Sequence, residues 1–220
     1  MNVEITPERI QLLVQGLIMF IGCVAVHEFG HAWMADRLGD GLPRRQGRVT
    51  LNPLVHADPI GTVLLPAFFI LSTGGIGFAW GKPVMHTTLE RKRRLLIAFA
   101  GPAMNVLLAA LVAVVLVVLI KVGSVTVGDR VWLSLLTAVQ LNFILFFFNL
   151  IPAEPLDGGS VARGLIPHGW VRAFDEYAKY GPFVILAVML VPKVGRVVLW
   201  PANYMTKHLY DNLMTLAGLG

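Results

Sequence analysis

The sequence predicts an all-α polytopic membrane protein, with about four to six transmembrane helices and a re-entrant, β-hairpin-like element after the first. Three observations carry that reading. Hydrophobic residues make up 56% of the 220-residue chain and charged residues only 14%, against about 25% in soluble domains. Mean hydropathy is +0.70. The apolar residues fall in long uncharged runs, near the roughly 20 residues that a spanning helix needs, and the basic residues cluster between them. A soluble domain needs more surface charge than this, a disordered chain is far poorer in aliphatic residues, and a lone cysteine, Cys23, rules out a disulfide scaffold. The net charge of +5 does not point to nucleic acid, because basic clusters between apolar runs are the pattern of cytoplasmic loops facing an anionic leaflet.

The first run, 10–26, is uncharged and continues through His27 to Asp36. Its upstream flank is acidic (Glu4, Glu8) and no small-residue cleavage site follows, so it reads as a retained helix and not a signal peptide. Residues 49–81 lie between two basic clusters, Arg37/Arg44/Arg45/Arg48 and Lys82/Arg91–Arg94. If both clusters are cytoplasmic, the intervening chain leaves and returns on one side. Residues 47–51 read as a short strand, and Pro53, Pro59 and Pro66 are expected to break any helix. The alternative is one kinked transmembrane helix over 59–75.

Two long uncharged runs follow, at 95–120 and 131–153, and a shorter one at 181–192 with 197–202 beyond it. The first helix then runs outside to inside, the 95–120 helix returns, and the 131–153 helix comes back in. That topology leaves Arg163, Arg172 and Lys179 cytoplasmic, as expected, and Lys193 and Arg196 external, which counts weakly against it. The chain is read as a single membrane domain, 1–220, with a catalytic core at about 10–165 and a C-terminal helical region at 166–220.

His27-Glu28-Phe29-Gly30-His31 is an H-E-x-x-H pattern. On a helix, positions i and i+4 share a face, so both imidazoles can reach one Zn²⁺ and the glutamate can take a proton from an activated water. An ionisable Glu28 deep in an apolar helix is costly without a partner or a function. A third ligand is required, and Asp58, Glu154 and Asp157 are the candidate carboxylates. Asp157 stands out because Pro152 and Pro155 end a helix before it and Gly158-Gly159 permit close backbone approach.

Taken together, His27-Glu28-Phe29-Gly30-His31, Ala100-Gly101-Pro102-Ala103-Met104-Asn105 and Asn149-Leu150-Ile151-Pro152-Ala153-Glu154-Pro155-Leu156-Asp157-Gly158-Gly159 resemble the site-2 protease family of intramembrane zinc metalloproteases. The segments 47–54, 58–62 and 80–84 also resemble its small bacterial members, which lack PDZ and CBS domains. The resemblance implies one zinc ion held by His27, His31 and Asp157, Glu28 as general base and Asn149 close to the scissile carbonyl. It implies that the 47–81 element offers an edge strand to an unwound substrate, with Gly75, Gly77 and Asn105 as candidate substrate contacts. Partners would be single-span membrane proteins within the bilayer, and the location the cytoplasmic membrane with the site toward the cytoplasm. Glu154 departs from the small or apolar residue expected there and reads as a charge at the helix exit.

The remaining polar residues read as structural. Asn105 suits an interhelical hydrogen bond, His56 a local one, Cys23 a packing role, and His86, His168 and His208 solvated loops. A metal-binding transporter or a catalytically inactive relative is the alternative. The base beside a ligand argues against the first, and the presence of His27, Glu28, His31 and Asp157 together against the second.

Overall fold

The computed structural model describes residues 6–73, 77, 79–88 and 90–218. Three described helices are long and apolar enough to cross a membrane, and a fourth span is added if a bent C-terminal pair counts as one. This is the lower end of the expected number. The chain divides into two compact units, Met1–Gly101 and Pro102–Gly220.

In the first unit, helix α1 (Pro7–Arg37) opens on a proline, with Glu8 in its first turn and Arg37 in its last. All three suit the helix ends, since proline loses no needed N–H there and the charges complement the macrodipole. Phe20, Val24, His27, Glu28, His31 and Ala35 are buried, at the three- and four-residue spacing of one helix face. Ile10, Val14 and Ile18 are exposed apolar residues suited to lipid. Two single-turn helices follow, α2 (Leu42–Arg45) and α3 (Pro53–His56).

A π-helical turn, Pro59–Leu64, then runs directly into α4 (Leu65–Thr73). The expectation that prolines break this region is corrected: Pro53 and Pro59 begin helices, and Pro66 sits in the second position of α4. Pro53 and Pro59 fall in first turns, where a proline removes no intrahelical bond. At Pro66 the chain is already helical, and its missing N–H falls where the π turn passes into α4. The apolar helical stretch Pro59–Ser72 falls below spanning length. The strand expected at 47–51 is also absent, and no strand occurs among the described residues. Gly47 takes a φ of +67°, Arg48 N–H bonds to the Pro43 carbonyl and Thr50 N–H to the Arg48 carbonyl, so the backbone is spent locally and forms no ladder.

After α4 the chain has no regular secondary structure over 79–88. Asp40, just past α1, anchors its far end: one carboxylate oxygen accepts from Thr87 N–H (2.5 Å), Thr88 N–H (3.0 Å) and the Thr88 hydroxyl (3.0 Å), the other from Leu42 N–H at 3.1 Å. Burial works against its charge, but the Leu42 and Thr87 N–H groups and the Thr88 hydroxyl outweigh it and hold the carboxyl down at about 2.

Helix α5 (Arg91–Lys121) starts within the basic cluster, earlier than the apolar run alone indicates. In the second unit, α6 (Arg130–Asn149) is capped by Asp129, whose side chain accepts from Trp132 N–H at 2.7 Å. Ala109, Ala113, Val139, Phe143 and Ala202 form a buried cluster, small residues permitting close helix approach. Asn105 and Asn142, both fully buried, join α5 to α6 through a 2.9 Å amide hydrogen bond. Short helices α7 (Asp157–Leu165) and α8 (Val171–Ala178) lead to α9 (Gly181–Leu190) and α10 (Pro192–Leu216). The last two meet at 92°, where Pro192 prevents α9 from continuing.

Candidate metal centre

The geometry of the first unit begins with the helical register of α1, which puts His27 and His31 one turn apart. Their Nε2 atoms lie 3.1 Å from each other, with ring centroids at 4.7 Å and the planes at 82°. Two imidazole nitrogens bound to one tetrahedral zinc are separated by about 3.3 Å, given Zn–N bonds near 2.0–2.1 Å. The pair therefore fits a shared ion closely. His31 Nδ1 is 2.7 Å from the Ile97 carbonyl oxygen. A carbonyl only accepts, so Nδ1 carries the proton and the Nε2 lone pair is directed at the shared point.

Gly101 supplies the space. A Cβ there would lie 2.3 Å from His31 Nε2 and 2.9 Å from His27 Nε2, in the position where both ring nitrogens converge. This gives a physical reason for a glycine in the Ala100-Gly101-Pro102 sequence.

Glu28 is buried beside them, at 8% exposure. Its Oε2 is buried and makes no hydrogen bond to the described residues, an expensive condition for a carboxylate unless chemistry uses it. On its other side is Gly81, whose Cβ would come within 3.2 Å of Glu28 Oε1 and 2.5 Å of Val24 Cγ1. Only a residue without a side chain lets this irregular stretch lie so close to α1.

That stretch is held on its opposite edge. Trp80 N–H donates to the Gly61 carbonyl (3.1 Å) and Lys82 N–H to the His56 carbonyl (2.8 Å), while the Thr62 hydroxyl donates to the Trp80 carbonyl at 2.8 Å. Asp58 caps the π turn by accepting from Ile60 and Gly61 N–H. Both bonds fall on Oδ1, so the visible task of this carboxylate is the cap. His56 is fully buried and donates from Nε2 to the Thr50 carbonyl, the local role expected of it.

Residues the sequence did not single out complete this unit. Arg48, read as a loop charge and as part of the 47–51 strand and the 47–54 segment but given no role, is 5% exposed and donates to the carbonyls of Val55 and Lys82. Asp40 had no distinguishing signal, because its partners lie 47 and 48 residues away.

The second unit contains the other expected site residues. Asp157 is half-buried and begins α7. A Cβ on the next residue, Gly158, would meet the Ile151 carbonyl oxygen at 2.2 Å, so that glycine permits the tight turn before α7. Asn149 closes α6 and donates its amide to the Leu145 carbonyl at 2.9 Å. Asn105 is fully buried and donates to Asn142, the interhelical hydrogen bond its residue type suits. Glu154 is half-buried on the turn before α7. Of the two glycine contacts expected for substrate, Gly75 lies outside the described residues. Gly77 is exposed at φ +62°, with the Phe69 ring against it. His27 and His31 each offer a ring nitrogen, and Asp157 a carboxylate oxygen, of the kinds that ligate zinc.

Comparison with known proteins places this chemistry in a family. Residues 15–129 match the profile of peptidase family M50, a region that includes His27, Glu28, His31 and Gly101. "Putative zinc metalloprotease YwhC" of Bacillus subtilis (strain 168) is 34% identical over 194 residues, covering 84% of each chain. "Putative zinc metalloprotease Rip2" of Mycolicibacterium smegmatis is 30% identical over 187 residues, covering 84% of this chain and 69% of its own length. No solved structure matches the chain significantly.

Proposed function

Because the chain belongs to peptidase family M50, we propose that it is an intramembrane zinc metalloprotease, hydrolysing peptide bonds within or near transmembrane segments of other membrane proteins in regulated intramembrane proteolysis. The observation that carries this reading is the pair of Nε2 atoms 3.1 Å apart with the buried Glu28 carboxylate beside them.

In this reading His27, His31 and Asp157 hold the zinc. Bound there, zinc supplies Lewis acidity, polarising the scissile carbonyl and acidifying the attacking water. Glu28 accepts the water's proton and returns it to the leaving amine. Asn149 acts on the developing oxyanion through the second N–H of its amide, the first being held by the Leu145 carbonyl.

A transmembrane peptide bond is shielded by its own helix, so the substrate must unwind, and its freed backbone groups need partners. The 80–82 stretch suits this role. Trp80 and the Lys82 N–H direct their backbone hydrogen bonds to 56–62 and the Lys82 carbonyl to Arg48, and the intervening Gly81, against Glu28, has its own N–H and C=O for an incoming strand. Single-span membrane proteins are the substrates. The basic residues after α1 and before α5 support insertion in the cytoplasmic membrane, with the site toward the cytoplasm.

The test uses purified protein and a Glu28→Gln variant, measuring zinc content and cleavage of a panel of single-span substrates. Equal zinc with cleavage reduced at least about 10²-fold is expected. Cleavage that survives the substitution overturns the mechanism, and a parent without zinc overturns the site.

A further inference from the structure

We propose that Arg48 is a positioning residue for proteolysis: its guanidinium holds the 80–82 stretch, the edge that meets the substrate, in place against Glu28. This rests on the protease reading above and assigns a role to a residue outside the metal-binding and acid–base set.

Arg48 is a buried cation whose hydrogen-bond partners among the described residues are carbonyl oxygens, Val55 in α3 and Lys82 in the 79–88 stretch. Burying a guanidinium on carbonyls is costly, and a fold that needed only a link between two loops could use a neutral donor. The acidic group whose field acts on Arg48 is Glu28. The cation thus lies in the electrostatic environment of the carboxylate past which the 80–82 stretch runs.

The hydrogen-bond pattern shows what the guanidinium controls. Lys82 is held twice, its N–H by the His56 carbonyl and its C=O by Arg48. Trp80 is also held twice, by Gly61 and Thr62. Gly81 is suspended between these fixed points, and its Cβ position is 3.2 Å from Glu28 Oε1. Of these four bonds the one from Arg48 comes from outside 56–62, and it ties the stretch to the α2–α3 loop. A planar guanidinium presents two N–H groups in a fixed fork and can span both carbonyls; a lysine ammonium offers no such fork. Without Arg48 the C-terminal side of Gly81 loses an anchor, and the substrate edge drifts relative to the base.

The experiment uses the full chain in detergent or nanodiscs, with Arg48→Met and Arg48→Lys. Three quantities are read: zinc content, amide hydrogen exchange, and kcat and KM on a single-span substrate. In Arg48→Met, zinc content and α1 protection should match the parent, exchange at the Lys82 and Trp80 amides should accelerate at least about tenfold, and kcat/KM should fall about 10²-fold, the scale of an ångström misplacement. Arg48→Lys should fall between the two. Cleavage by Arg48→Met within about threefold of the parent overturns the proposal. So does a loss that comes with equal loss of zinc and of α1 protection, which would make Arg48 a general fold residue. If Arg48→Met fails to fold, Arg48→Lys decides alone: faster Lys82 exchange and weaker cleavage with zinc retained support the role, and parental values overturn it. A parent that cleaves nothing defeats the protease reading instead, and the exchange measurements still report whether Arg48 holds the stretch.

Discussion

His31 Nδ1 lies 2.7 Å from the carbonyl oxygen of Ile97, on the first turns of α5. A backbone carbonyl sets both the tautomer and the ring orientation of this histidine, and no side-chain substitution removes it. The same helix brings Gly101 against the two Nε2 atoms, so α5 both aims His31 and leaves room beside it.

Gly101→Ala tests that arrangement. The added methyl would sit 2.3 Å from His31 Nε2, too close for the ring and an ion to keep their places. Zinc affinity should fall by about 10–100-fold, the range seen when groups supporting a metal ligand are disturbed, with helix content unchanged. Metal analysis after dialysis against a graded chelator, alongside circular dichroism, checks both statements.

Asp40 makes a separate prediction about stability and acid. Its carboxyl is held at about 2, below the roughly 3.9 of an unfolded aspartate. A lowered folded pKa stabilises fully above the unfolded value, and that contribution is lost as pH falls from about 4 through 2. Asp40→Ala should therefore cost about 2 kcal/mol at neutral pH, from hydrogen bonds to a charged acceptor, and its denaturation midpoint should depend less on pH between 4 and 2 than the parent's. Denaturant unfolding in mild detergent across that range measures it; an unchanged acid limb refutes the anchor.

How far the sequence could be read differs between features, for physical reasons. His27, Glu28 and His31 were legible because helical periodicity alone puts them on one face. The long helices were legible from apolar runs, although α5 begins at Arg91, in residues that read as loop charge. The 47–56 region was not legible. A strand was expected where Gly47 turns the chain and Arg48 points inward, and nothing in the pattern of neighbouring residues distinguishes a buried arginine from the exposed Arg44 and Arg45. Asp58 looked like a ligand because residue type cannot reveal that its Oδ1 accepts from Ile60 and Gly61 N–H. Asp40 depended on contacts 47 and 48 residues away, beyond any local signal.

The Asn105–Asn142 hydrogen bond offers a measurement of packing independent of the metal. Both amides are fully buried and bonded at 2.9 Å. Interhelical polar pairs in membranes contribute about 0.6 kcal/mol on average and up to about 1.7. A double-mutant cycle with Asn105→Leu and Asn142→Leu should give a coupling in that range, and the double variant should retain more stability than the sum of the singles implies. Zinc content should not change in any of the three. Additive losses would show that the bond carries no coupling.

Asp157 and Asn149 are proposed for different tasks, and their variants should separate accordingly. Asp157→Ala removes a ligand oxygen, so zinc and cleavage should be lost together. Asn149→Ala removes only an oxyanion donor, so zinc should remain while kcat falls by about 10²–10³-fold. The Asn149 amide gives one N–H to the Leu145 carbonyl and has a second for the oxyanion. Asn149→Ala should therefore leave KM nearly constant, because the interaction is made only as charge develops on the carbonyl. Metal analysis with separate kcat and KM values decides the case: loss of zinc in Asn149→Ala would make it a structural residue of the α6 terminus, and retained zinc in Asp157→Ala would require another carboxylate as the third ligand.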